Sequence, residues 1–179
     1  MNYFFGTYYI SDGTKPIELK VSAPIEWIPL ESTDEEILLI SKEVLDWELF
    51  GFDGETTGWS DSYLKKYMDK LYFEMFTAEE KEAILDEGHG KLFLLSVDEI
   101  VKYLPEESDR RAQIKFVYKE NDTIETSIEY STYWLRNDSV CENADVANVD
   151  AHGNIEYGYM ERDEIGVRPC IYVKNNRNY

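Results

Sequence analysis

The feature that most constrains this chain is a change of hydrophobic period along its length. From Tyr3 to Ile10, Ile17 to Val21 and Ile25 to Ile28, apolar and aromatic residues come in short β-favouring segments, and Ile37 to Ile40 form a continuous apolar run. Alternation places successive side chains on opposite faces of a strand, and a short continuous run marks a strand buried on both faces. Between Asp61 and Phe76 the spacing becomes three and four residues. Leu64, Met68, Leu71 and Met75 then share one face of an amphipathic helix. Thr77-Ala78-Glu79-Glu80 and Ser96-Val97-Asp98-Glu99 both match the capping box, in which a hydroxyl and a carboxylate satisfy free backbone N–H groups at a helix start. Gly88-His89-Gly90 is expected to end the second helix, and Pro105 to stop the third. Lys91 to Leu95 reads as a strand between them.

Beyond the charged connection Glu106 to Arg111 the period returns to two. Ile114 to Tyr118 and Ile124 to Tyr130 predict a hairpin around Asn121-Asp122, and Ala147 to Tyr159 a second one turning at His152-Gly153-Asn154. Tyr133-Trp134-Leu135 opens a closing sheet, and Gly166 to Val173 is read as the final strand. Strands, then helices, then strands argue for an α+β fold, a single domain over residues 1–179 with a mixed or antiparallel sheet and two to three helices in the middle of the chain.

Charge narrows the partners. With 37 acidic and 18 basic residues the net charge is −19. That field opposes direct nucleic-acid binding, which relies on Lys and Arg displacing counterions, and it opposes anionic membrane surfaces as well. Acids crowd between Glu31 and Ser62 (Glu31, Asp34, Glu35, Glu36, Glu43, Asp46, Glu48, Asp53, Glu55, Asp61) against the one base Lys42. They read either as a solvated face or as a patch that docks a basic partner, for which Glu31, Asp34, Glu35, Glu36, Asp53 and Glu55 are the nominated residues. Two cysteines, Cys141 and Cys170, are too few for a disulfide framework, and their spacing does not argue for a bridge. With neither a basic leader followed by a long apolar stretch nor a bilayer-length apolar run, the expected location is the cytoplasm.

Four spaced signatures, Trp27 to Leu30 (WIPL), Leu94 to Ser96 (LLS) with Glu99, Tyr133 to Arg136 (YWLR) and Gly166 to Pro169 (GVRP), resemble those of an uncharacterised bacterial and phage domain family over about residues 3–173. That family has no established chemistry. It is similar to the C-type-lectin-like fold, and the resemblance implies that the N- and C-terminal strands pair and that a long loop region, Arg136 to Glu164, presents the binding surface. The usual sugar-binding calcium signatures are missing: Trp134-Leu135-Arg136-Asn137-Asp138 only superficially matches Trp-Asn-Asp, and there is no Glu-Pro-Asn. Cys141 and Cys170 do not reproduce the copper-binding pair of the architecturally related formylglycine-generating enzymes.

Catalytic vocabulary is thin, with no H-E-x-x-H, C-x-x-C, phosphate loop or G-x-S-x-G. The two histidines, His89 and His152, each precede a glycine in a turn context, and neither has a sequence-local orienting partner. No catalytic residue, metal ligand or cofactor is assigned. Trp27, Trp59 and Trp134 are read as core anchors, and Arg136 and Arg168 as guanidiniums that pin the closing sheet, with an anion-binding pair as the alternative. A non-catalytic recognition domain that meets a protein or glycan through Asn137, Asp138, Tyr157 and Tyr159 is the first functional expectation. An acidic inhibitor that mimics nucleic acid or blocks a basic toxin is the second, and a hydrolase with a spatially assembled carboxylate site ranks last.

Overall fold

The computed structural model describes residues 3–14, 17–52, 58–136 and 145–175. In chain order its elements are β1 (Tyr3–Ser11), β2 (Lys20–Ser32), β3 (Glu36–Ser41), β4 (Asp46–Trp47), α1 (Tyr63–Met75), α2 (Ala78–Ala83), β5 (Ile84–Leu85), α3 (Val97–Tyr103), α4 (Glu107–Arg110), β6 (Ala112–Glu120), β7 (Thr123–Ser131), β8 (Tyr133–Trp134), β9 (Asp145–Val149), β10 (Ile155–Tyr159), β11 (Gly166–Val167) and β12 (Cys170–Lys174). One five-stranded sheet has the order β1-β2-β3-β12-β5, a second has β10-β9-β8-β11-β4, and β6 and β7 form a separate hairpin. All pairs are antiparallel except β11 with β8. Strands and helices are thus segregated as the α+β reading expects.

The two apolar segments Ile17 to Val21 and Ile25 to Ile28 are not separate strands. All of Ile25 to Ile28 and the end of the first segment, Lys20 and Val21, lie in the one long β2, which accommodates Pro24 and Pro29 because each sits at a register shift, the first opposite the β1 bulge and the second where β2 slips against β3. A proline cannot donate to a ladder, and a bulge is a place where it need not. The β1 bulge contains Gly6 at φ +71, and a side chain there would run into the Phe76 ring at 2.6 Å. Ile37 to Ile40 are all buried in β3, between β2 and β12.

Helix α1 buries Leu64, Met68 and Met75 as its spacing predicts, with Tyr72 added and Leu71 half-buried. Both capping boxes are formed, at Thr77 with Glu80 and at Ser96 with Glu99. Other boundaries differ. Helix α2 ends at Ala83, where Ile84 turns inward to pair with Val173 in β12, so the chain leaves the helix before Gly88. Leu92 to Leu95 are buried but form no ladder, touching neighbouring strands through isolated bridges at Phe93 and Ser96. The charged connection contains a fourth helix, α4, one more than the sequence suggests.

Gly166 to Val173 is not one strand. Arg168-Pro169 break it, so β11 belongs to the second sheet and β12 to the first. The terminal strands share a sheet but do not pair, because β2 and β3 stand between β1 and β12. The pairing implied by the lectin-like resemblance is therefore absent, and β12 pairs instead with β3 and β5.

The buried side chains form one cluster spanning both sheets and α1. Trp27, Trp59 and Trp134 lie inside it, at 1%, 4% and 0% exposure. Each satisfies its indole N–H on a backbone carbonyl, of Phe5 at 2.8 Å, His89 at 3.0 Å and Glu48 at 2.8 Å respectively. A buried indole nitrogen needs such a partner, and here each bond also ties a loop or strand to the core. No helix among the described residues is long and apolar enough to cross a membrane.

Candidate functional site

The residues nominated from the sequence separate in space. Tyr157 and Tyr159 stand on one face of β10, the edge of the second sheet, at 66% and 39% exposure. Asn137, Asp138, Asp53, Glu55 and Cys141 lie outside the described residues. Cys170 is a buried free thiol, and burial pushes its pKa up. The described acids of the acidic segment are distributed rather than gathered. Glu31, Asp34, Glu35 and Glu36 surround the β2–β3 turn, whereas Glu43 pairs with Lys115 at 2.5 Å and accepts a bond from the Tyr8 hydroxyl at 2.9 Å. Burial, with Glu87, Glu35 and Glu31 nearby, raises the Glu36 carboxyl above its ordinary range. Glu31 is held below its own range by the Tyr103 hydroxyl and the Lys102 ammonium.

Arg136 and Arg168 are both 3% exposed. Arg136 donates to the Leu94 carbonyl at 3.0 Å and to Glu99 at 3.2 Å. Arg168 donates from Nε to the Ser41 carbonyl at 3.0 Å, and from one terminal nitrogen to the Arg110 carbonyl at 3.2 Å and the Tyr133 hydroxyl at 3.1 Å. It thereby joins the end of β3, the end of α4 and β8 at the point where the chain crosses between sheets. Arg110, a third buried arginine that sequence reasoning did not single out, donates to the carbonyls of Gly153, Leu104 and Pro105. Gly153 is at φ +95, and a Cβ there would lie 2.0 Å from the Glu107 carbonyl oxygen, so this turn is built for close approach to α4. All three guanidiniums are enclosed in the frame.

The surface feature with convergent chemistry is a groove at the other edge of the second sheet from β10. It runs between the end of β1, the segment leading into β2, the short strand β4 and α1. Two adjoining cavities, of about 190 Å³ and about 220 Å³, share Ser11, Ile17, Asp46 and Tyr67. Tyr8, Tyr9 and Leu71 line one, and Gly13, Thr14 and Trp47 the other. Glu74 and Glu48 supply further carboxylates.

Local chemistry fixes the floor. The Tyr67 hydroxyl donates to one Asp46 carboxylate oxygen, while the other accepts the Trp47 N–H at 2.8 Å. Trp47 lies on Phe116 of the hairpin with centroids 4.6 Å apart, and its indole donates to the Ser131 hydroxyl at 3.2 Å. Burial, and then the negative charges of Asp46, Glu48 and Glu74, hold the Tyr67 phenol well above its usual pKa. The groove therefore has a negative field between aromatic walls. It already accommodates one cation of the chain itself, since the Lys20 ammonium lies 4.2 Å from the centre of the Tyr9 ring.

These residues come from three stretches of sequence, which is why no local motif marks them. The available signal was the triplet Asp46-Trp47-Glu48, an aromatic between two acids, together with Tyr67 beside the apolar stripe of α1. No group of His, Cys, Asp and Glu among the described residues is arranged to hold a metal ion.

A family model described as Domain of unknown function (DUF6273) matches residues 34–175. No curated protein and no solved structure matches the chain.

Proposed function

The chain belongs to the DUF6273 family, which lends it no activity, and from its own surface we propose that it is a non-catalytic recognition domain whose groove receives a cationic side chain of a protein ligand. The observation that carries this reading is the Lys20 ammonium seated over Tyr9 in a cavity that Asp46 and Glu74 also line. Aromatic faces and nearby acids are what an ammonium or guanidinium requires, and the −19 net charge steers such a ligand toward the surface. Size points the same way. Each of the two adjoining cavities, at about 190 Å³ and about 220 Å³, has room for one long side chain. The C-type-lectin-like resemblance is compatible with a binding role, although no described residue of the Arg136 to Glu164 segment lines the groove.

Titration with N-acetyl-arginine amide tests the reading. Tyr9→Ala and Glu74→Lys, both at exposed positions, are expected to weaken binding while leaving the melting temperature nearly unchanged. Unaltered affinity in both folded variants would remove the groove from the account.

A second reading, an acidic inhibitor of a basic protein, is favoured by the crowding of Glu31, Glu35 and Glu87 around Glu36. It predicts a complex that weakens steeply as salt is raised, because exposed charges are screened beyond about 8 Å at physiological ionic strength. Affinity that holds in high salt would count against it.

A further inference from the structure

The hairpin of β6 and β7 carries a second surface that does not depend on the groove. Its turn, Asn121-Asp122, has both residues at positive φ, 48° and 65°, the geometry of a two-residue type I′ connection. In such a hairpin the pair that flanks the turn, Glu120 with Thr123, exchanges both backbone hydrogen bonds, and bonded pairs then alternate with non-bonded ones. The pair Gln113 with Tyr130 falls in the non-bonded class. Consistently, the Gln113 carbonyl turns outward and accepts the Val44 N–H at 2.9 Å. On β7 the outward-directed N–H and C=O groups accordingly belong to Ile124, Thr126, Ile128 and Tyr130. Among the described residues strand β7 pairs with β6 alone, and every residue from Thr123 to Tyr130 is exposed.

Alternation sorts its side chains. Ile124, Thr126, Ile128 and Tyr130 share one face, with Ile124, Ile128 and Tyr130 at 53%, 52% and 45% exposure. Glu125 and Glu129 share the other. An open edge of this length with exposed apolar side chains is what soluble proteins ordinarily shorten, cover or charge. We propose that β7 is a docking edge for an extended peptide of alternating basic and apolar residues, added as a third antiparallel strand to the hairpin. The apolar side chains of the ligand would lie beside Ile124 and Ile128, its Lys or Arg side chains beside Glu125 and Glu129, and its backbone would satisfy the open ladder. A second copy of this chain is a poor occupant, because each copy brings a charge of −19. Centred on Ser127, antiparallel self-pairing would also set Glu125 against Glu129.

The test compares two capped peptides of identical composition, the alternating Lys-Val-Lys-Val-Lys-Val-Lys and its block isomer Lys-Lys-Lys-Lys-Val-Val-Val, by calorimetry on the full chain. The alternating peptide is expected to bind at least about tenfold more tightly, because only it presents both faces in register. Thr126→Pro removes an outward N–H without touching the inner ladder, and should abolish the preference. Glu125→Lys with Glu129→Lys should transfer it to an alternating Glu-Val peptide, which keeps the test decisive even if the proline variant fails to fold. Equal binding of the two isomers, a preference retained by either folded variant, or concentration-dependent self-association of the chain that the peptide does not reverse would each overturn the proposal. The groove is probed with a single arginine derivative and this edge with the order of residues in a peptide, so either can fail alone.

Discussion

Arg168 shows how one residue can hold two sheets in register. Its guanidinium serves the Ser41 carbonyl, the Arg110 carbonyl and the Tyr133 hydroxyl, and it caps the corner where β11 becomes β12. The Tyr133 hydroxyl donates in turn to the Arg110 carbonyl at 2.6 Å. A lysine brings a point charge with no planar fork, so at least one of these buried oxygens loses its donor. Leaving a buried polar group unsatisfied costs about 1–3 kcal/mol. Arg168→Lys should therefore lower the unfolding free energy by roughly 2 kcal/mol in urea titration, and a midpoint unchanged within error would contradict this role. In the sequence the arginine stands out through its neighbours Val167 and Pro169. Its partners Ser41, Arg110 and Tyr133, all more than 30 residues distant, are not legible, because separation in sequence holds no information on which oxygens meet it.

At the scale of elements, what was legible was local. Two capping boxes and one helical stripe could be read because every partner lies within a few residues. Strands of two residues, such as β4, β5, β8 and β11, exist only through neighbours far along the chain; β4, β8 and β11 belong to the second sheet, and β4 lines the groove. The same limit explains why Gly166 to Val173 reads as one strand, and why Leu92 to Leu95 read as a ladder they do not make. The capping carboxylate of α2 has a long-range task too. Glu80 accepts the Thr77 N–H at 2.8 Å and also the Gly6 N–H of the β1 bulge at 2.7 Å. Burial alone would raise its pKa, but the bonds from Gly6 and Thr77 more than offset that and hold it below the ordinary 4.5. A depressed folded-state pKa contributes stability above the unfolded value and loses it as pH falls. Glu80→Gln should thus destabilise the protein at pH 7 and narrow its stability difference from the parent as pH drops below about 4.5, read from denaturant midpoints across that range. A constant difference would show that the charge of Glu80 is irrelevant.

For the whole molecule, the acidic sequence and the aromatic composition were visible from the start, but their meeting place was not. Acids that are close along the chain, such as Glu36 at the β2–β3 turn and Asp46 in the groove, go to different regions, whereas Tyr9, Asp46 and Tyr67 converge. The tyrosines nominated from the loop region, Tyr157 and Tyr159, lie at the opposite edge of the second sheet from β4. An enclosed arginine frame carries a negative aromatic groove and an open strand edge, the two surfaces on which basic ligands are proposed to dock. The most direct test of the recognition claim is chemical-shift mapping of the protein with N-acetyl-arginine amide and with its neutral isostere, N-acetyl-citrulline amide. Saturable shifts at Tyr9, Trp47 and Tyr67 are expected for arginine, and far smaller ones for citrulline. Equal shifts with both, or shifts centred on Tyr157 and Tyr159, would contradict it.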